Sequence, residues 1–160
     1  PIGPAYSGGG GGPGSKLVVF NASSDWTGDY ASAGVAAIEL DVKNLTNEVL
    51  SIRLELEGTG GALVSREAQS LAALADWTHL RIPIAPGDLT GASDVAAVLA
   101  HVTKIRIMHN PNPTTSSQVP SIAAQIGIDN VTTAPVPEPS LPLLTGAGLL
   151  VLAAIRRRPR

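Results

Sequence analysis

Two neighbouring stretches of this chain, Val35 to Asn44 and Leu50 to Glu57, alternate apolar and polar residues with a period of two. Successive side chains of an extended backbone point to opposite sides, so this period marks strands with one buried face. In the first stretch Ile38, Leu40 and Val42 point one way, and Glu39, Asp41 and Lys43 the other. In the second, Leu50, Ile52, Leu54 and Leu56 are opposed by Ser51, Arg53, Glu55 and Glu57. A slip of one residue would put all seven apolar side chains in water, which fixes the register. The link Leu45-Thr46-Asn47-Glu48 reads as a turn, so the two stretches are expected to pair as a hairpin with one wet face.

Further strands are predicted at Lys16 to Asn21, Thr78 to Ile84, Thr103 to His109 and Ile122 to Val131. Thr59-Gly60-Gly61, Pro86-Gly87-Asp88 and Asn110-Pro111-Asn112-Pro113 separate them, since glycine, proline and asparagine favour turn conformations. One short helix is predicted over Ser93 to Ala100, with Ser93 as its N-cap and Asp94 in the first turn. Many short strands at such spacing predict an all-β fold, an antiparallel β-sandwich of jelly-roll type, with a core of Ile38, Leu40, Val42, Ile52, Leu54, Ile105, Ile107, Ile126 and Ile128.

Charge excludes one class of partner. Arg156, Arg157, Arg158 and Arg160 account for four of the 11 basic residues, so residues 1–155 hold 7 against 13 acidic ones, a net of −6. A body of that sign repels phosphates, which need Lys and Arg to displace counterions, so no nucleic-acid partner is expected. The chain has no Cys, which removes disulfides, thiol nucleophiles and thiolate metal sites.

Both ends depart from folded-domain sequence. Pro1 in place of Met reads as the start of a fragment or processed product, with any signal peptide lying before it. Residues 1–15, with the run Gly8 to Gly12, read as a Gly-rich segment of a truncated domain, and residues 16–131 as the sandwich ectodomain. Residues 132–139 hold three prolines and read as an extended spacer. Residues 140–155 carry no charge and predict a C-terminal hydrophobic helix, which would span roughly 24 Å. That is short of the ~30 Å hydrocarbon core, so arginine snorkelling or local thinning must help. The basic cluster of residues 156–160 would stop transfer and lie on the cytoplasmic side. A buried core helix and a plain tail anchor are the competing readings; the first fits poorly, because the segment has no polar stripe.

Pro137-Glu138-Pro139, a hydrophobic span and terminal arginines, in that order, resemble the PEP-CTERM sorting signal handled by exosortases. The resemblance implies an exported protein, held in the inner membrane as a precursor, then cleaved and placed at the cell surface or released. A Gram-positive sortase signal is a poor fit. Leu141-Pro142-Leu143-Leu144-Thr145-Gly146 has one residue too many between Pro and Thr, and too few apolar residues follow it to span a membrane.

Lys16 to Asn21 with Trp26-Thr27-Gly28-Asp29-Tyr30, then Val102 to Ile107, then Ile126 to Val131, resemble laminin-B-like and carbohydrate-binding-module-like jelly rolls. This resemblance implies two candidate sites. Trp26, Tyr30 and Trp77 are candidate sugar platforms, since ring faces pack on sugar C–H groups; the competing reading makes them core or rim residues. Asp25, Asp29 and Asp129 are candidate ligands for a structural Ca²⁺, against the plainer reading as turn-forming loop residues.

No enzyme is expected. His79, His101 and His109 lack metal-ligand spacing, no Gly-x-Ser-x-Gly elbow is present, and Gly8 to Gly12 lacks the Lys-Ser/Thr of a phosphate loop. Glu39, Glu55 and Glu57 alternate outward on strands and read as solvated rather than as a glycosidase pair. The sequence therefore predicts an exported protein with a structural or adhesive role in an exopolysaccharide-rich matrix. The alternative is a specific carbohydrate-binding module, marked by Trp26 and Trp77 exposed together on one face.

Overall fold

A computed structural model of the chain describes residues 15–136. Within them the strands are β1 (Val18–Asn21), β2 (Val35–Asn44), β3 (Leu50–Gly58), β4 (Gly61–Ser65), β5 (Gln69–Leu71), β6 (Thr78–Pro83), β7 (Leu89–Gly91), β8 (Val102–His109) and β9 (Ile126–Pro135), with one helix, α1 (Val95–Ala100). All pairings are antiparallel. The larger sheet runs β1-β8-β3-β4-β7, with β5 also on β3; the smaller runs β6-β2-β9.

The two sheets close on one core. Ile38, Leu40 and Val42 of β2 and Leu80 and Ile82 of β6 meet Leu50, Ile52, Leu54 and Leu56 of β3 and Ile105 and Ile107 of β8. Seven of the nine predicted core residues are buried there, while Ile126 and Ile128 are half-buried against it from the edge strand β9. Removing so many branched side chains from water, at roughly 25 cal/mol per Å² of apolar surface, is what drives the sheets together.

The predicted hairpin does not form. β2 pairs with β6 and β9, whereas β3 pairs with β8, β4 and β5, so residues 45–49 carry the chain from one sheet to the other. Alternation determines which way a side chain faces but not which strand lies beside it. Both stretches do present their apolar faces to the same core, from opposite sides.

The outer face of β3 is a second correction. Arg53 and Glu55 point away from the main core as expected, yet they are only 5% and 1% exposed. The segment from Asn110 to Ser121 lies over them like a strap. Arg53 donates to the carbonyls of Asn110 (2.8 Å) and Pro111 (3.0 Å) on the strap, and to those of Ser65 and Arg66 (both 2.7 Å) beside β4. Glu55 accepts from Ser116 N–H and Oγ–H and from Arg106. Val119 of the strap packs with Val64 and Met108 in a small second core. Buried charges are tolerable only when such bonds replace their hydration, and among the described residues no buried side-chain nitrogen or oxygen lacks a partner.

Smaller differences are local. Asp94, not Ser93, caps α1, its carboxylate accepting from Ala97 N–H at 2.9 Å. β9 runs on to Pro135, four residues into the predicted spacer, and proline is tolerated there because β9 is an edge strand. Among the described residues no helix is long and apolar enough to cross a membrane. Pro137, Glu138, Pro139, the predicted helix 140–155, the terminal arginines and most of the Gly-rich segment lie outside the described residues.

Candidate functional site

The outer face of the smaller sheet gathers an exposed cluster of polar side chains around one indole. Trp77 enters it just before β6 and is 51% exposed. Its indole crosses β2 at Lys43 and reaches β9, where Gly127 is the register partner of Lys43. A Cβ on Gly127 would stand 2.9 Å from the Trp77 ring, so the bare backbone there is what lets the ring lie down.

Further along the face Asp41 is the hub. His79 Nδ1 lies 3.0 Å from one of its oxygens, and Asn130 Nδ2 donates to the other at 2.7 Å. These bonds, Asn130 first and His79 second, hold the Asp41 carboxyl below the usual carboxylate range. Glu39 follows, 3.5 Å from Arg81 and 3.9 Å from His79 Nε2. Asn130 has a positive φ of 50° and sits where the β2–β9 register shifts between Glu39 and Asp41. Asparagine is one of the few residues that accepts that conformation, and the bulge turns its amide onto the sheet face. Back at the Trp77 end, Lys43 bonds Asp76 at 2.8 Å and lowers the pKa of that carboxyl. The face offers one exposed indole with carboxylates, an imidazole and an amide beside it.

The three predicted aromatic platforms do not share this face. Tyr30 is 6% exposed inside the core, its hydroxyl donating to the Trp26 carbonyl at 2.7 Å, and burial raises its pKa. Trp26 is half-buried against the same core. Both lie near the Val35 end of β2, since Val35 N–H donates to the Tyr30 carbonyl. Trp77 lies at Lys43, eight residues and roughly 26 Å further along at ~3.3 Å per residue.

The candidate calcium ligands are separated in the same way. Asp29 accepts from the N–H and hydroxyl of Ser32 (2.8 and 2.6 Å), which lowers its pKa and occupies it in its own turn near the start of β2. Asp129 is opposite Asp41, deep along β2, and accepts from Asn130 N–H. Asp29 and Asp129 therefore do not converge, because one sits before the start of β2 and the other opposite Asp41, and Asp25 precedes Asp29 by four residues in the same loop. Among the described residues no group of three or more His, Asp or Glu side chains is arranged to hold a metal ion.

The remaining carboxylates fall on opposite sides of the molecule. Glu39 is on the outer face of the smaller sheet, and Glu55 and Glu57 on that of the larger. Glu57 is tied to Arg106 at 2.6 Å and Lys104 at 3.3 Å, which lowers its pKa. His109 is buried, and its Nδ1 accepts from Ser51 N–H at 2.9 Å. Burial depresses its pKa, so the fold binds fewer protons than the unfolded chain below about pH 6.5. Stability is therefore expected to hold at neutral pH, to fall as pH drops through that region, and to fall again below about pH 4, as the depressed carboxyls Asp29, Asp41, Asp76 and Glu57 are driven to protonate. Urea midpoints at pH 7.5, 6 and 5 check this. His109→Asn keeps an acceptor near Nδ1 without the titration, and should flatten the first decline.

Sequence reasoning overlooked Asn130 and the Asp41–His79 pair. The one signal available was Asp129-Asn130 inside a run rich in Ile, Val and Thr, since both residues are depleted in strands and mark a bulge. No family model, no curated protein and no solved structure matches the chain.

Proposed function

We propose that the chain is an exported surface or matrix protein with a structural or adhesive role, its C-terminus sorted and cleaved by an exosortase. Its body is then a sandwich of jelly-roll type, held before cleavage by the membrane helix 140–155 and delivered into an exopolysaccharide-rich matrix. The observation that carries this reading is the order of three parts in the tail: Pro137-Glu138-Pro139, an uncharged apolar segment, and Arg156, Arg157, Arg158 and Arg160. Each part does a separate physical job. The prolines keep the tripeptide extended and accessible to a processing enzyme. The apolar span holds it at the membrane's outer face, and the arginines stop transfer and set orientation. The last strand supports the same reading, because β9 ends at Pro135 and only Val136 separates it from the tripeptide.

For the body, the separation of Trp26 and Tyr30 from Trp77 favours a scaffold over a specific carbohydrate-binding module. A module of that kind gains affinity from adjacent ring faces, and here a single indole is exposed.

The test is the mature C-terminus, read by mass spectrometry of exported protein from cells with an active exosortase. The expected product lacks residues 141–160. Changing Pro137-Glu138-Pro139 to alanines should leave an uncleaved, membrane-held precursor, since the span is untouched. Exported protein that still ends in Arg160 would replace this reading with that of a plain tail anchor.

A further inference from the structure

Among the described residues, Phe20, Leu45, Val49, Leu74, Trp77 and Val136 are the large apolar side chains left exposed. Four of the six, Leu45, Val49, Leu74 and Trp77, fall at one end of the sandwich, which makes a patch rather than the scatter normal on a surface. Backbone bonds knit the two loops of this end together. Leu74 N–H donates to the Thr46 carbonyl at 2.8 Å and Asn44 N–H to that of Ala75 at 2.9 Å. The Asn44 amide donates to the carbonyls of Glu48 and Ala72, at 2.7 and 2.8 Å.

Leu74 is the anomaly. It is the third residue of the turn Ala72–Ala75, closed by Ala75 N–H on the Ala72 carbonyl at 3.2 Å, and it has a φ of 54°. A leucine there is strained where glycine would not be, and its side chain is 63% exposed. The fold thus bears a backbone cost to hold an apolar side chain in water, a combination that marks surfaces used for contact.

We propose that this end is a self-association surface, on which a second copy of the chain packs its own Leu45, Val49, Leu74 and Trp77. Two observations select that occupant. The rim carries Lys43 bonded to Asp76 at 2.8 Å, with Glu48 in the neighbouring loop, so both signs of charge are present and a two-fold contact can match them against itself. Aliphatic side chains predominate in the patch, and they fit an apolar protein surface better than a sugar face. The patch is small, so a single contact is weak and forms at high concentration, and arrays of copies strengthen it further. The chain leaves the sheet at the opposite end, where Val136 N–H bonds the Gly34 carbonyl, about 30 Å away along β2. On the membrane reading above, the patch faces outward; that orientation rests on that reading, whereas the contact itself does not.

The test is sedimentation velocity of the full chain, one copy per phosphatidylcholine nanodisc, over a wide concentration range. Disc pairs should accumulate with concentration, and more so with added NaCl, which screens the repulsion between like-charged bodies. Leu74→Gly should abolish pairing while leaving the melting temperature equal or higher, because it removes the side chain and the strain together. Absence of pairing, pairing undiminished by Leu74→Gly, pairing dissolved by NaCl, or binding of the apolar end to empty phosphatidylcholine vesicles would each overturn the proposal. A chain that fails to enter nanodiscs counts against the membrane reading instead, and its pairing is then measured in mild detergent with the same variant.

Discussion

Replacing Arg53 with alanine is expected to lower the melting temperature of the sandwich by ~12–20 °C, corresponding to ~3–5 kcal/mol for a body of this size. The guanidinium reaches four carbonyls, of Ser65, Arg66, Asn110 and Pro111, and joins the strap to the larger sheet. Alanine leaves those oxygens facing a cavity with nothing to replace their lost hydration. Methionine at the same position restores most of the volume but none of the donors, so Arg53→Met should recover only part of the loss. Thermal unfolding followed by circular dichroism reads both variants. If Arg53→Ala melted with the parent protein, Glu55 and Val119 alone would suffice to hold the strap.

Gly58→Ala should cost about 2–3 kcal/mol, the upper range for overpacking at a site that cannot give way. A Cβ there would stand 2.4 Å from the His101 carbonyl oxygen and 2.8 Å from that of Val98, both backbone atoms at the end of α1. Relief requires lifting α1 off β3 and β4, the strands it packs against. Gly87 is the matched control, since nothing lies within 4 Å of a Cβ built there. Gly87→Ala is expected to be neutral or stabilising by about 0.4–1 kcal/mol, through the reduced freedom of the unfolded chain. The urea midpoint of Gly58→Ala should fall while that of Gly87→Ala stays or rises; equal midpoints would mean that α1 yields without cost.

How much of this was legible depended on the length of each pattern. β2 and β3 are ten and nine residues long, enough for alternation to identify their inward faces. β5 and β7, three residues each, are too short to show any period and passed as loop. Alternation also says nothing about what covers the other face. Arg53 and Glu55 therefore read as solvated, and the strap that buries them is written in Pro, Asn, Ser and Thr, the composition of an ordinary loop. The site was legible by residue type and not by place. Trp77 was recognisable as an aromatic in a polar setting, but its distance from Trp26 is set by their positions along β2, which emerge only once β6 and β9 have chosen β2 as partner. Leu74 gave no signal at all, because leucine is not a residue that sequence reading assigns to a left-handed turn.

The place of β9 also fixes when the molecule can be finished. β2 is the central strand of its sheet, yet one of its neighbours is the last of the described strands, with Val35 paired to Pro135 across a hundred residues of chain. Until that segment has been synthesised, one side of β2 has no ladder and the core is open along the β9 edge. Pairings this distant in sequence close slowly, in milliseconds to seconds for β-rich domains. On the export reading proposed above, a body threaded across a membrane from its N-terminal side would complete its smaller sheet only as residues 126–135 cleared the pore.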